Sequence, residues 1–189
     1  MATKDYNSIT DGYETPGNIY KPILEFIKKD KFCLDVCASR KNIPADSYFA
    51  LEHGSCGLKG YWLNEYNKLC TCFMNPPFKQ AQRWIRKAFL EIKQGEAEVW
   101  CVIPADRLNM VYFNSLLREN NNWFIAVLEK SKKQVFNFRN PYISDEENNK
   151  NEFNGGYGKP IMILYIGENS KEYAKRWKEE QPLTSLVLQ

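Results

Sequence analysis

The sequence predicts an α/β fold, a largely parallel sheet with helices packed on both of its faces. Two observations lead there. Short apolar runs of strand length alternate along the chain with amphipathic helical patterns, and two distinctive stretches, "LDVCAS" at 34–39 and "NPPF" at 75–78, fall where strands should end. In such sheets ligands gather beyond the carboxyl ends of the strands. With 189 residues, 43% of them hydrophobic and 14% aromatic, the chain has the size and apolar content of one domain, so 1–189 is read as a single unit.

Taken in order, 1–11 reads as a flexible lead. "YETPGNIYKPILEFIKK" then places Ile19, Ile23, Leu24, Phe26 and Ile27 near helical spacing, with Thr15 as N-cap and Pro16 at the first helical position; Pro22 argues for a later start. "KFCLDVCA" is the first strand and "ADSYFALE" the second. A glycine-containing loop, "EHGSCGLKGYW", leads to the third, "LCTCFM". From Lys79 to Gln94 the pattern is that of an amphipathic helix carrying Trp84, Ile85, Ala88, Phe89 and Ile92 on one face. "EVWCVIP" is a fourth strand, "RLNMVYFNSLLREN" a further helix and "WFIAVLE" a fifth strand. "KQVFNF" and "KPIMILYIG" are the remaining strands. Between them lies a polar loop over 139–158, long for a compact domain, and a basic amphipathic segment over 170–189 closes the chain.

Composition narrows the partners without choosing one. A net charge of +3 permits nucleic acid but is small for a dedicated binding domain. The six cysteines lie mostly inside apolar runs, and with one histidine they form no four-ligand set of familiar zinc spacing, so reduced thiols and no metal are expected. The opening "MATKDYNSITDGYET" is polar, and no apolar run approaches the roughly eighteen residues of a membrane span. The expectation is a soluble, cytoplasmic protein.

"NPPF" carries the chemistry. An adenine amino group is a poor nucleophile because its lone pair is delocalised into the ring, and it needs acceptors for its two N–H groups. Asn75 offers a side-chain oxygen and Pro76 a backbone carbonyl, while Pro76 and Pro77 fix φ near −65° and aim that carbonyl without further ordering on binding. Phe78 offers a ring on which an extruded base can stack. The same residues also make an ordinary strand-ending turn with Phe78 as its anchor. Upstream, Glu52 follows the second strand, where nucleotide-binding sheets place an acid for ribose hydroxyls.

"TP" at 15–16, "LDVCAS" at 34–39 with Asn42, "YFALE" at 48–52, "GLKGYW" at 57–62, "FMNPPF" at 73–78, Trp84 with "KA" at 87–88, and "VIPA" at 102–105 followed by "YF" at 112–113 occur in a telling order. This series resembles the phage-type (Dam-like) DNA N6-adenine methyltransferases, as do "KQVFNF" and "GYGKPIMILYIG" as a closing strand pair, and the resemblance runs from about residue 12 to 167. It implies a Rossmann-like sheet that binds S-adenosylmethionine. Thr15 and Pro16 would lie near the methionine end of that cofactor. Asp35, Cys37, Ala38 and Ser39 would form the turn that replaces a glycine-rich loop, with Glu52 and Asn75 completing the cofactor site. Asn75, Pro76, Pro77 and Phe78 would be catalytic, acting on a flipped adenine in double-stranded DNA. Lys79, Arg83, Lys132 and Lys133 are the candidate phosphate contacts. Asn148, Asn149 and Asn151, in the long loop, are candidates for a groove contact. A phage-infected or prophage-carrying bacterial host follows from the resemblance alone. The chain departs from the family at "GSCGL", where relatives commonly place an aspartate before Gly-Leu; Ser55 is the candidate replacement, and Trp62 a candidate neighbour of the cofactor. "NPP" with an aromatic also serves methyltransferases of cytosine N4, RNA and protein glutamine. A non-catalytic nucleic-acid-binding or decoy protein on the same scaffold is the remaining alternative.

Overall fold

The computed structural model describes residues 14–38, 42–50, 53–62, 70–95, 97–128, 136, 138, 139, 144, 146, 160–181 and 184–189. The strands are β1 (Phe32–Ala38), β2 (Ala45–Ala50), β3 (Cys70–Met74), β4 (Ala97–Pro104), β5 (Trp123–Leu128), β6 (Ile161–Ile166) and β7 (Thr184–Leu188). The helices are α1 (Gly17–Phe26), α2 (Ala81–Lys93), α3 (Val111–Arg118) and α4 (Ser170–Glu180). The strands form one sheet in the order β2-β1-β3-β4-β6-β5-β7. β2, β1, β3 and β4 are parallel. β6 is inserted antiparallel between β4 and β5, and β7 runs antiparallel along the outer edge of β5.

The chain is thus a mixed α/β protein, and its central strands explain why. β3, β4 and β6 are buried along their whole length, as strands covered on both sides must be. Alternate residues face opposite layers. Cys72, Met74, Val99, Cys101, Leu164 and Ile166 meet α2 and α3 through Ile85, Phe89, Phe113 and Leu117. Phe73, Trp100, Val102, Ile163 and Tyr165 meet α1 and α4 through Ile23, Phe26, Ala174 and Trp177. On that second face the aromatic rings interlock, with Trp100 edge-on to Phe26 at 5.8 Å and beside Trp177 at 5.6 Å between centroids.

At the amino end of the parallel strands a chain of hydrogen bonds runs from the exposed Lys29 to the buried Thr71, Glu98 and Tyr165. Lys29 Nζ donates to Thr71 Oγ1 (2.5 Å), the Thr71 hydroxyl to Glu98 Oε1 (2.7 Å), and the Tyr165 hydroxyl to Glu98 Oε2 (2.9 Å). Burial and the Glu98 charge push the Tyr165 phenol upward, so it stays a donor.

Three local expectations need correction. Thr15 does not cap α1: the N-cap is Pro16, and no side chain bonds the helix start. Pro22 neither delays nor breaks that helix, which runs through it, because the face formed by Ile19, Ile23, Leu24 and Phe26 is wholly buried. The chain also does not end in a basic segment alone, since α4 is followed by β7, whose register pairs Ile125 with Leu188 and Ala126 with Val187. The expected strand "KQVFNF" lies mostly outside the described residues; Phe136 and Phe138 are buried there but belong to no strand. Among the described residues no helix is long and apolar enough to cross a membrane, and no cluster of His, Cys, Asp and Glu could hold a metal ion.

Candidate active site at the strand-order reversal

β1 has β2 on one side and β3 on the other, so the order of the chain reverses at β1, and a crevice is expected beyond the carboxyl ends of β1 and β3. Asp35 and Cys37 come from the first of these ends. Asn75 to Phe78 leave the second. Asp35 pairs with Phe73 across the two strands, which brings Cys37 level with Asn75; the Asn75 backbone N–H points at the Cys37 thiol.

Each element holds its piece of the site for a local reason. Pro76 and Pro77 are buried, Asn75 and Phe78 half-buried, and the chain turns at once into a single 3₁₀ turn over Phe78–Gln80 and then α2. Pro77, with φ of −50°, precedes that turn, and its carbonyl accepts the Gln80 N–H at 2.8 Å. Lys79 and Arg83 are exposed beside the motif. No acidic residue lies in the first turn of α2, so the partial positive charge of that helix end adds to both cations.

Asp35 is 4% exposed, and the described hydrogen bond to its carboxyl is a donation from the Cys37 N–H at 3.2 Å. Burial pushes this carboxyl from the ordinary 3.8 up to about 7, and that one N–H opposes the rise only in part. A buried acid held near neutrality with no described cation is a place that a positively charged ligand would complete. Burial also raises the Cys37 and Cys101 thiols well above their usual range, so both behave as apolar side chains here.

The loop that follows β2 presses on the same strand end. A Cβ placed on Gly57 would sit 2.0 Å from the Val36 carbonyl oxygen and 3.1 Å from the Trp84 ring, so only glycine lets the loop backbone lie against β1. Trp62 is completely buried; its indole N–H donates to the Gly57 carbonyl at 2.8 Å, and its backbone N–H donates to Glu91 Oε2 at 3.1 Å. The other Glu91 oxygen is paired with Lys87, whose ammonium sits 5.7 Å from the Tyr61 ring centroid. Ser55 is engaged in closing β2. The Ala50 N–H donates to its hydroxyl at 3.0 Å, and the hydroxyl donates to the Ala50 carbonyl at 3.1 Å.

The remaining sites fall out as follows. Thr15 is buried and Pro16 half-buried at the start of α1. α1 joins β1 through the short connection 27–31, so it runs back along the sheet and its start faces the carboxyl edge. The neighbouring Glu14 N–H donates to the Arg139 carbonyl at 2.8 Å, which brings the beginning of the long loop to the same place. Ala38 ends β1. Ser39, Glu52, Lys132 and Lys133 lie outside the described residues, as do Asn148, Asn149 and Asn151. Glu91 was assigned no role from sequence, yet Lys87 and Glu91 together hold the 57–62 loop. The signal was present, since Trp84, Ala88 and Glu91 fall on one helical face and Lys87 and Glu91 are four residues apart.

No curated protein matches the chain. A family model does: that of the Dam DNA N-6-adenine-methyltransferases matches residues 2–180. With a match over nearly the whole length, including both strand ends of the crevice, the chain belongs to the Dam family of DNA N-6-adenine-methyltransferases.

Proposed function

We propose that this chain is a single, Rossmann-like methyltransferase domain that transfers a methyl group from S-adenosylmethionine to N6 of an adenine flipped out of double-stranded DNA. The observation that carries the reading is the meeting of two chemistries at one strand-order reversal: a buried, under-neutralised carboxyl on β1 and the Asn75 to Phe78 turn on β3. The cofactor would supply an electrophilic methyl on a sulfonium. Its positive charge suits Asp35, and the backbone from Cys37 through Ala38 to Ser39 would run beside it, with Thr15 and Pro16 at its methionine end and Glu52 at its ribose.

The chain's own part in the reaction is to bind and orient the acceptor. Asn75 Oδ1 and the Pro76 carbonyl accept the two N6–H bonds and favour a tetrahedral nitrogen with its lone pair exposed. Pro77 holds that carbonyl in place, and Phe78 stacks on the extruded base. Once nitrogen carries the extra methyl it is cationic and acidic, and the proton passes to water without a dedicated base. Lys79 and Arg83 flank the turn and would neutralise phosphates, with Lys132 and Lys133 as further contacts. The setting that goes with this reading is the cytoplasm of a phage-infected or prophage-carrying bacterium.

The test is incubation of the purified protein with S-adenosylmethionine and unmethylated DNA, then nucleoside mass spectrometry, with Asn75→Ala alongside. N6-methyladenine from the parent and at least about a hundredfold less from the variant is the expected result. N4-methylcytosine would move the acceptor to the other exocyclic amine, and no methylated base would refute the assignment.

A further inference from the structure

Five large apolar side chains are well exposed among the described residues: Tyr61, Leu90, Met110, Val111 and Leu186. Tyr61 lies beside the Lys87 ammonium, Leu90 is on the outer side of α2, and Leu186 is on the edge strand β7. Met110 and Val111 differ from these in being consecutive and in following the carboxyl end of β4, on the same edge of the sheet as the candidate site. They follow the exit of β4, the strand hydrogen-bonded and parallel to β3, and the register pairs Met74 at the end of β3 with Cys101, three residues before β4 ends at Pro104. Beyond Pro104 the chain turns through Ala105–Asn109 into α3, and Met110 and Val111, six and seven residues after Pro104, form the corner.

The corner is rigidly mounted. The Met110 N–H donates to the Arg107 carbonyl at 3.0 Å, and the Met110 carbonyl accepts from Phe113 N–H at 3.0 Å and Asn114 N–H at 3.1 Å. The Asn114 side chain donates to the Leu108 carbonyl at 2.9 Å, and Phe113 is completely buried beneath. Val111 is nevertheless 82% exposed and Met110 38%. Lys79 and Arg83 are exposed after the exit of the neighbouring strand β3, and Arg107, directly before the corner, is paired with Asp106 at 3.6 Å. Firm backbone support and apolar tips suit a partner with an apolar interior, which is the stacked duplex, with Lys79 and Arg83 exposed after β3 for its phosphates.

We propose that Met110 and Val111 form the wedge that enters the duplex and occupies the space vacated by the target adenine. This rests on the base-flipping reading above and assigns to the α3 corner the cost of opening the base pair. Apolar side chains inserted between base steps offset unstacking, so the wedge matters most when the target is paired and least when it is already unpaired.

The experiment starts by mapping the sites the parent protein methylates, then compares initial rates on two duplexes of that sequence, one with the target adenine paired and one with it opposite an abasic position. Met110→Ser with Val111→Ser should lower the rate on the paired duplex by about tenfold or more, and on the abasic duplex by less than about threefold. Met110→Leu with Val111→Ile should retain the parent's rate on both. Val111→Ser alone, at the more exposed position, should show the same pattern more weakly and guards against misfolding of the double variant. Equal losses on the two duplexes, or no loss on the paired one, would overturn the wedge. A parent protein that methylates neither duplex would instead overturn the methyltransferase reading itself.

Discussion

Replacement of Asp35 by asparagine should make the protein more stable at pH 8 while weakening its hold on a cationic cofactor. The magnitude follows from the site. The folded carboxyl titrates near 7 and the unfolded one at the ordinary 3.8, a gap worth about 4 kcal/mol at full ionisation. Between those values the unfolded chain has released its proton and the folded chain keeps it. The unfolded state then binds fewer protons, and stability falls as pH rises, until both forms are ionised above 7. Asparagine keeps an acceptor oxygen for the Cys37 N–H, at 3.2 Å in the parent, and carries no proton to lose. The variant should therefore gain little at pH 4, more at pH 5 and up to about 4 kcal/mol at pH 8 relative to the parent. Urea unfolding of both proteins at four pH values reads this directly, and every other titrating group cancels in the difference. A gap that does not grow with pH, or a variant less stable than the parent at pH 8, would refute the burial argument. Saturating S-adenosylmethionine at pH 8 then supplies the functional half: it should stabilise the parent by mass action and the variant far less. Equal stabilisation of the two would remove Asp35 from the cofactor site while leaving its burial intact.

Other outcomes follow from the same contacts. Gly57→Ala puts a methyl 2.0 Å from the Val36 carbonyl oxygen, and because backbone faces backbone the loop must move; urea unfolding should show a loss of about 2–4 kcal/mol, with cofactor binding weakened in parallel. Glu91→Ala strips the buried acceptor from the Trp62 N–H and the partner from Lys87, for an expected loss of about 3 kcal/mol in the same assay, with Glu91→Gln losing less. Lys79→Ala and Arg83→Ala should each lower the slope of log affinity against log salt by about one, leaving melting unchanged, as binding to labelled duplex at several salt concentrations would show.

How much of this could be read from the chain depended on the range of the forces involved. β1, β3 and β4 were legible because strands covered on both faces are predominantly apolar, and α2 because Trp84, Ile85, Ala88, Phe89 and Ile92 mark one helical face. The turn at Asn75 to Phe78 was legible because two prolines leave the backbone few choices. Pro22 misled because local propensity pointed one way and burial of Ile19, Ile23 and Phe26 the other; tertiary packing decided it. β7 was missed because "TSLVL" has one apolar cluster and no turn signal, and its strand character comes from pairing with β5, some sixty residues earlier in the chain. The approach of Gly57 to Val36 was invisible for a related reason: a glycine's neighbours in space are not written beside it.

The two ends of the sheet show why the site was the harder part to complete from sequence and the easier part to find. At the amino end Thr71, Glu98 and Tyr165 are buried, yet a chain of hydrogen bonds from Lys29 ends in a carboxylate that accepts at both oxygens, and nothing further is called for. At the carboxyl end Asp35 is just as deeply buried, but it faces one described N–H and its proton affinity has risen to about 7. A fold selected for stability alone would place an apolar residue or asparagine there. The Trp100 indole N–H in β4 is also buried without a hydrogen bond among the described residues, but Asp35 is a buried carboxyl with a raised pKa at the strand-order reversal, and a departure of that kind marks where a ligand is expected to finish the structure. Stability and cofactor binding are thus opposed quantities at Asp35, and the asparagine variant should raise one as it lowers the other.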